Sequence, residues 1–150
     1  MDDKIKIAGQ AYGRGFTCSQ AVFCAYAQDM GIDEMTACRM MEGFGGGFGR
    51  MREVCGAFSG ITLVLGALYG SDDPAKKTAL YTDVQALAAE YKARNGRGSM
   101  ICKELLGLKE PEGSPIASPR TPEYYKKRPC PELCRIAADI MAEYIAAHPK

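Results

Sequence analysis

The chain has 150 residues, 47% hydrophobic and 25% charged, which are the proportions of one globular domain and not of a disordered, collagenous or multidomain protein. Nineteen basic and 18 acidic residues leave a net charge of +1, which gives no field-driven affinity for nucleic acid or membrane. Seven cysteines are many for a cytoplasmic protein and few for a disulfide scaffold, and Met1-Asp2-Asp3-Lys4 does not open a signal peptide, so a reducing, cytoplasmic setting is expected.

Apolar residues Ile5, Ile7, Ala8, Ala11 and Tyr12 predict a first helix from about Asp2 to Tyr12, ended by Gly13 and Gly15. Thr17-Cys18-Ser19-Gln20 is a capping box, and the helix it opens runs to Met30 and stops at Gly31. A third helix spans Asp33 to Gly43. Five glycines then fall among the eight residues from Gly43 to Arg50; a stretch so rich in glycine must lie close against other backbone. The fourth helix, Glu53 to Tyr69, is central, and the pairs Gly56/Gly60 and Gly66/Gly70 would let neighbours approach it closely. Its apolar run is shorter than the about 17–18 residues of a membrane span and contains Gly and Ser.

Ser71-Asp72-Asp73-Pro74 starts a fifth helix with Leu80, Val84, Leu87 and Tyr91 on one face, fading at Asn95-Gly96. Ser99 caps a short segment to Leu106, and Gly107 to Arg128, with four prolines, reads as an irregular surface connection. The last helix begins at Cys130-Pro131 with the stripe Leu133, Ile136, Ala137, Ile140, Met141, Tyr144 and Ile145. The expected fold is all-α: one domain over 1–150, a bundle of about six helices with a glycine-rich loop before the central one.

The cysteines are placed unevenly along this plan. Cys18, Cys55, Cys102 and Cys130 fall at helix starts, where unpaired N–H groups and the macrodipole favour a thiolate, the form that attacks disulfides and binds metals. Cys134 lies one turn beyond Cys130 on the same face; a regular helix puts the two Cβ atoms about 5–6 Å apart, wider than the roughly 3.8 Å of a disulfide. Cys24 and Cys38 sit inside apolar helical stretches and are expected to be buried and inert. Joint chemistry requires the fold to gather at least three of Cys18, Cys55, Cys102, Cys130 and Cys134 around a common cavity.

The motifs resemble the C_GCAxxG_C_C family of redox-active proteins. The resemblance runs through Cys18-Ser19-Gln20-Ala21-Val22, Gly45-Gly46-Gly47, Gly49-Arg50, Cys55-Gly56-Ala57-Phe58-Ser59-Gly60, Cys102-Lys103-Glu104-Leu105-Leu106-Gly107, Cys130 and Cys134, with Cys-Gly-Ala where the family label has Gly-Cys-Ala. It implies redox activity through the cysteines and settles no substrate. A related domain occurs in the haem-binding split-Soret cytochromes, but this chain has no Cys-x-x-Cys-His and only one histidine, His148 in the tail, so covalent haem is not expected. Cys24 and Cys38 lie outside the pattern.

Two functional expectations follow. In the first, Cys18, Cys55, Cys102, Cys130 and Cys134 are catalytic thiols of a thiol-dependent oxidoreductase, with Cys130 and Cys55 as nucleophiles. They exchange with the disulfide of a redox partner protein or a small thiol/disulfide, or pass electrons. In the second, the same five cysteines hold an iron–sulfur cluster or zinc. Gly46, Gly47, Gly49 and Arg50 (with Arg52 beside them) are the candidate contacts for an anion or cofactor. Tyr124-Tyr125-Lys126-Lys127-Arg128 reads as ordinary surface, and a homodimer is expected on general grounds.

Overall fold

The computed structural model describes residues 2–108 and 114–149; Pro111, expected in the irregular connection, lies outside the described residues. These residues form nine α-helices: α1 (Asp2–Gly13), α2 (Cys18–Ala25), α3 (Ala27–Met30), α4 (Glu34–Met41), α5 (Gly56–Tyr69), α6 (Lys77–Arg94), α7 (Cys102–Leu105), α8 (Pro122–Lys127) and α9 (Cys130–Ala147). Among the described residues there is no strand, only an isolated antiparallel bridge between Val54 and Ile101. The fold is all-α.

Local sequence explains most boundaries. Thr17 closes both halves of the capping box, accepting from the Gln20 N–H while its own N–H donates to Gln20 Oε1. Gly31 ends α3 in the left-handed region, and the Asp33 carboxylate accepts from the Thr36 N–H to start α4. The helix expected from Thr17 to Met30 divides at Tyr26, whose buried ring crosses the core so that its hydroxyl donates to the Ala138 carbonyl of α9. The stretch from Gly107 to Arg128 is not irregular throughout. Thr121 accepts from the Tyr124 N–H and Pro122 occupies the first turn, so α8 starts as a capped helix should.

The core is built around α2, which packs against α1, α4, α5 and α9. Gly56 and Gly60 make its contact with α5 possible. A Cβ at Gly56 would lie 3.0 Å from the Ser19 nitrogen, and one at Gly60 3.1 Å from the Val22 Cβ. The second expected pair does something else, because Gly66 meets nothing within 4 Å and Gly70 caps its own helix by donating to the Gly66 carbonyl. Ser19 donates to the Met41 carbonyl and Gln20 to the Cys38 carbonyl, so α2 fixes the register of α4 and of the glycine loop behind it. No helix of the described residues is long and apolar enough to cross a membrane.

Candidate functional site

The starts of α2, α5, α7 and α9 converge on one cavity of about 60 Å³ whose wall includes Cys18, Cys55, Cys102 and Cys130. Each of these cysteines is the first residue or the cap of its helix. Short-range and long-range order both contribute to the convergence. The bridge at Val54 and Ile101 locks two chain segments together, with the Cys55 N–H donating to the Met100 carbonyl and the Cys102 N–H to the Glu53 carbonyl. That clamp sets Cys55 beside Cys102. The packing of α2 on α9 sets Cys18 beside Cys130 in the cavity wall. Cys134, fully buried one turn further along α9, lies with its sulfur 4.0 Å from the Cys18 carbonyl oxygen.

The glycine loop forms one side of the cavity. Residues 46–50 all have positive φ, Phe48 and Arg50 included, as does Arg52. Gly46 and Gly47 reach the cavity wall. Gly49 and Arg50 do not: they face an adjoining open groove, where the Arg50 guanidinium donates to the Ser114 carbonyl and the Ser118 hydroxyl. The expected four-residue cradle is thus divided, because consecutive left-handed residues turn the chain away after Gly47. Arg52 turns back inward, is 6% exposed, and lies with a guanidinium nitrogen 3.7 Å from the Cys102 sulfur.

A cationic and aromatic cover, which the sequence presented as plain surface, completes the wall. Tyr12, Arg120, Tyr124 and Arg128 all line the cavity. Arg120 donates to the carbonyls of Tyr12 and Phe16 and lies 4.5 Å from the Tyr12 ring centre and 4.9 Å from that of Tyr124; Arg128 lies 4.9 Å from the latter from its own side. The hydroxyls of Tyr12 and Tyr124 are 2.8 Å apart, and Tyr12 shares the cavity wall with Cys130. The lining therefore carries three arginines and, among the described residues, no carboxylate.

Helix starts alone would lower these thiols, but burial reverses that expectation. Burial pushes Cys55 up to about 11, the Tyr91 hydroxyl 3.2 Å away opposing it. Cys102 is raised by burial, with Arg52 pulling the other way. Within the coupled pair, Cys130 is raised first by donating to Cys18 and then by burial. For Cys18, the Cys130 hydrogen bond lowers the pKa, while the Cys134 contact and burial raise it and prevail. Burial and thiol contacts thus hold Cys18, Cys55, Cys102 and Cys130 above the ordinary thiol range.

Cys55, Cys102, Cys130 and Cys134 are buried, Cys134 inward along the stripe of its helix, whereas Cys24 and Cys38, expected to be buried and inert, are half-buried like Cys18. Helical periodicity placed Cys24 and Cys38 toward the interior, but α2 and α4 meet there along a crevice that also borders α1. His148 stays at the surface and stacks on Tyr144. Among the described residues, no three His, Cys, Asp or Glu side chains are set to hold a metal ion.

This geometry defines a helical protein whose chemistry is concentrated in thiols gathered from distant parts of the chain. The family model described as "Putative redox-active protein (C_GCAxxG_C_C)" matches residues 16–144, and the chain belongs to that family. No curated protein and no solved structure matches it.

Proposed function

We propose that the protein is a cytoplasmic thiol-dependent oxidoreductase whose exchanging pair is Cys18 and Cys130, with Cys134, Cys55 and Cys102 as buried partners. The observation that carries this is the meeting of Cys18 and Cys130, each the first residue of its helix, in the wall of one cavity shared with Cys55 and Cys102. Cys18 makes the first attack because it is the least buried of the five, with Cys130 beside it in the cavity wall to complete the exchange. The substrate is a disulfide of a small thiol or of a partner protein. The Cys18 thiolate attacks one of its sulfurs, and the departing thiolate takes up a proton. Cys130, giving up its own proton, then attacks the Cys18 sulfur and releases the second thiol. The pair loses two electrons and two protons, which the substrate gains as two thiols.

The volume supports small groups as reactants. About 60 Å³ accommodates a few waters at roughly 10–15 Å³ each, and Thr17, Gly46, Arg52, Arg120 and Tyr124 line both this space and the adjoining groove. The three lining arginines favour a developing thiolate.

The test is reaction of the reduced, metal-analysed protein with oxidised glutathione, followed by acid quench and peptide mapping. A Cys18–Cys130 bond is expected, together with loss of turnover in Cys18→Ser. An anaerobic preparation that carries stoichiometric iron or zinc through these cysteines, and does not exchange, would replace this reading with the metal-binding one.

A further inference from the structure

Cys24 and Cys38 stand apart from the cavity, and their sulfurs lie 2.9 Å from one another. We propose that they form a second, independent dithiol/disulfide centre, oxidised by low-molecular-weight disulfides, whose closure staples α2 to α4. The distance compares with about 2.05 Å in a formed disulfide, so bond formation asks for a movement of under about 1 Å.

The approach is built into the fold. Cys24 lies one turn beyond Gln20 on α2, and Gln20 donates to the backbone carbonyl of Cys38 itself at 2.9 Å. Ser19 donates to the Met41 carbonyl at 2.7 Å, one turn further along α4. These two bonds hold α4 in the register that aims Cys38 at Cys24 before any covalent link exists. Access is also provided, because both thiols are half-buried and line a crevice with Ile7, Ala11, Arg14 and Glu34. The Cys24 thiol is held above its ordinary range by burial, by the Cys38 contact and by Glu34. It therefore spends most of its time as a protonated partner in the S–H···S contact.

The chemistry balances with a named oxidant. Either sulfur, as thiolate, attacks a small disulfide RSSR, forming a protein–SR bond, and the expelled RS⁻ takes up a proton. The second thiol loses its proton and attacks the protein sulfur of that adduct, closing Cys24–Cys38 and expelling the second RS⁻, which is protonated in turn. Two electrons and two protons pass from protein to RSSR, yielding two RSH.

The consequence reaches the cavity without touching it. The end of α4 leads through residues 42–44 directly into the glycine loop, and a Cβ at Gly45 would lie 2.5 Å from the Thr17 side chain that caps α2. A bond between Cys24 and Cys38 thus fixes the loop's anchor to the helix that carries Cys18.

The experiment uses the full chain, reduced, desalted and treated with oxidised glutathione, with intact mass and peptide mapping after acid quench. Linked peptides containing Cys24 and Cys38 are expected in wild type and in the Cys18→Ser variant alike, which separates this centre from the cavity. Cys24→Ser and Cys38→Ser should each leave a stable glutathione adduct on the remaining thiol, and wild-type protein should not accumulate it. Oxidation should also slow amide hydrogen exchange across 38–50. Stable adducts on wild-type Cys24 or Cys38 would overturn the proposal, as would linkage of either to another cysteine. So would both remaining reduced while the cavity thiols react.

Discussion

Gly47 is where the loop, the cavity and the bridge meet, and its replacement by alanine measures how tightly they are built. Its φ is +69°, a conformation that costs an L-residue about 1–2 kcal/mol. The new Cβ would lie 2.7 Å from the Cys102 Cβ, 2.7 Å from the Glu53 nitrogen and 2.9 Å from the Arg52 carbonyl carbon. Backbone contacts of this kind cannot yield cheaply. Glu53 N–H donates to the Gly47 carbonyl at 2.8 Å, and Arg52 and Glu53 in turn accept from the N–H groups of Lys103 and Cys102. Overpacking a fixed site costs a further 1–3 kcal/mol or so, which brings Gly47→Ala to roughly 2–5 kcal/mol. Gly49→Ala is the matched control, because its φ is +55° while no atom lies within 4 Å of its Cβ position; only the conformational cost of about 1–2 kcal/mol applies. At about 2–4 °C per kcal/mol for a chain of this size, Gly47→Ala should melt roughly 2–12 °C below Gly49→Ala. Alkylation of Cys102 should be faster in the first variant only. Equal melting temperatures for the two variants would refute the claim that the loop is packed against Cys102.

The raised Cys55 thiol gives a pH prediction with a definite sign. Below the ordinary value of 9.0 the thiol is neutral in both states and its contribution is complete; between 9.0 and about 11 the unfolded chain releases the proton while the native one keeps it, so stability falls as pH rises. Urea unfolding between pH 9 and 11 should show a slope in Cys55→Ser shallower than wild type by up to about 1.4 kcal/mol per unit, and identical slopes would count against a neutral, buried Cys55. For the cover, Arg120→Ala removes two hydrogen bonds to carbonyls and the stacking on Tyr12 and Tyr124, a loss of about 2–3 kcal/mol. Cys130 should then alkylate several-fold faster, and Arg120→Lys should not restore protection, since an ammonium lacks the planar fork. An unchanged Cys130 rate would show that Arg120 does not close the cavity.

The features that the sequence displays are those written in short spacing. Thr17 with Gln20, Gly31 and Asp33 mark helix ends by local hydrogen bonding, and the structure uses each of them as such. The helix-start positions of Cys18 and Cys130 belong to the same class of signal. By contrast, Val54 and Ile101 pair across 47 positions through backbone groups, and backbone pairing of that range leaves no mark on side-chain periodicity. The helix at Pro122 is masked by the prolines that precede it, although Thr121-Pro122 is itself a helix-start signature. Its real significance, the tyrosines and arginines over the cavity, depends on the fold returning it to α1.

Where the thiols depart from what their local sequence suggests, one cause acts. Local rules describe the helix end next to a cysteine, whereas protonation and exposure depend on everything packed around it. At Cys55 and Cys102 burial outweighs the dipole, at Cys130 the Cys18 contact and then burial do, and at Cys24 and Cys38 the crevice outweighs the apolar face. The consequence for reactivity is that a thiol held neutral is protected from stray oxidants, and attack must begin where a sulfur is both reachable and supported as a thiolate. On the proposed reading that sulfur is Cys18, the least buried of the five, with Cys130 beside it in the cavity wall to complete the exchange. Under that reading a buried set of thiols with one reachable member selects disulfides able to enter at Cys18, and specificity needs no extended binding surface.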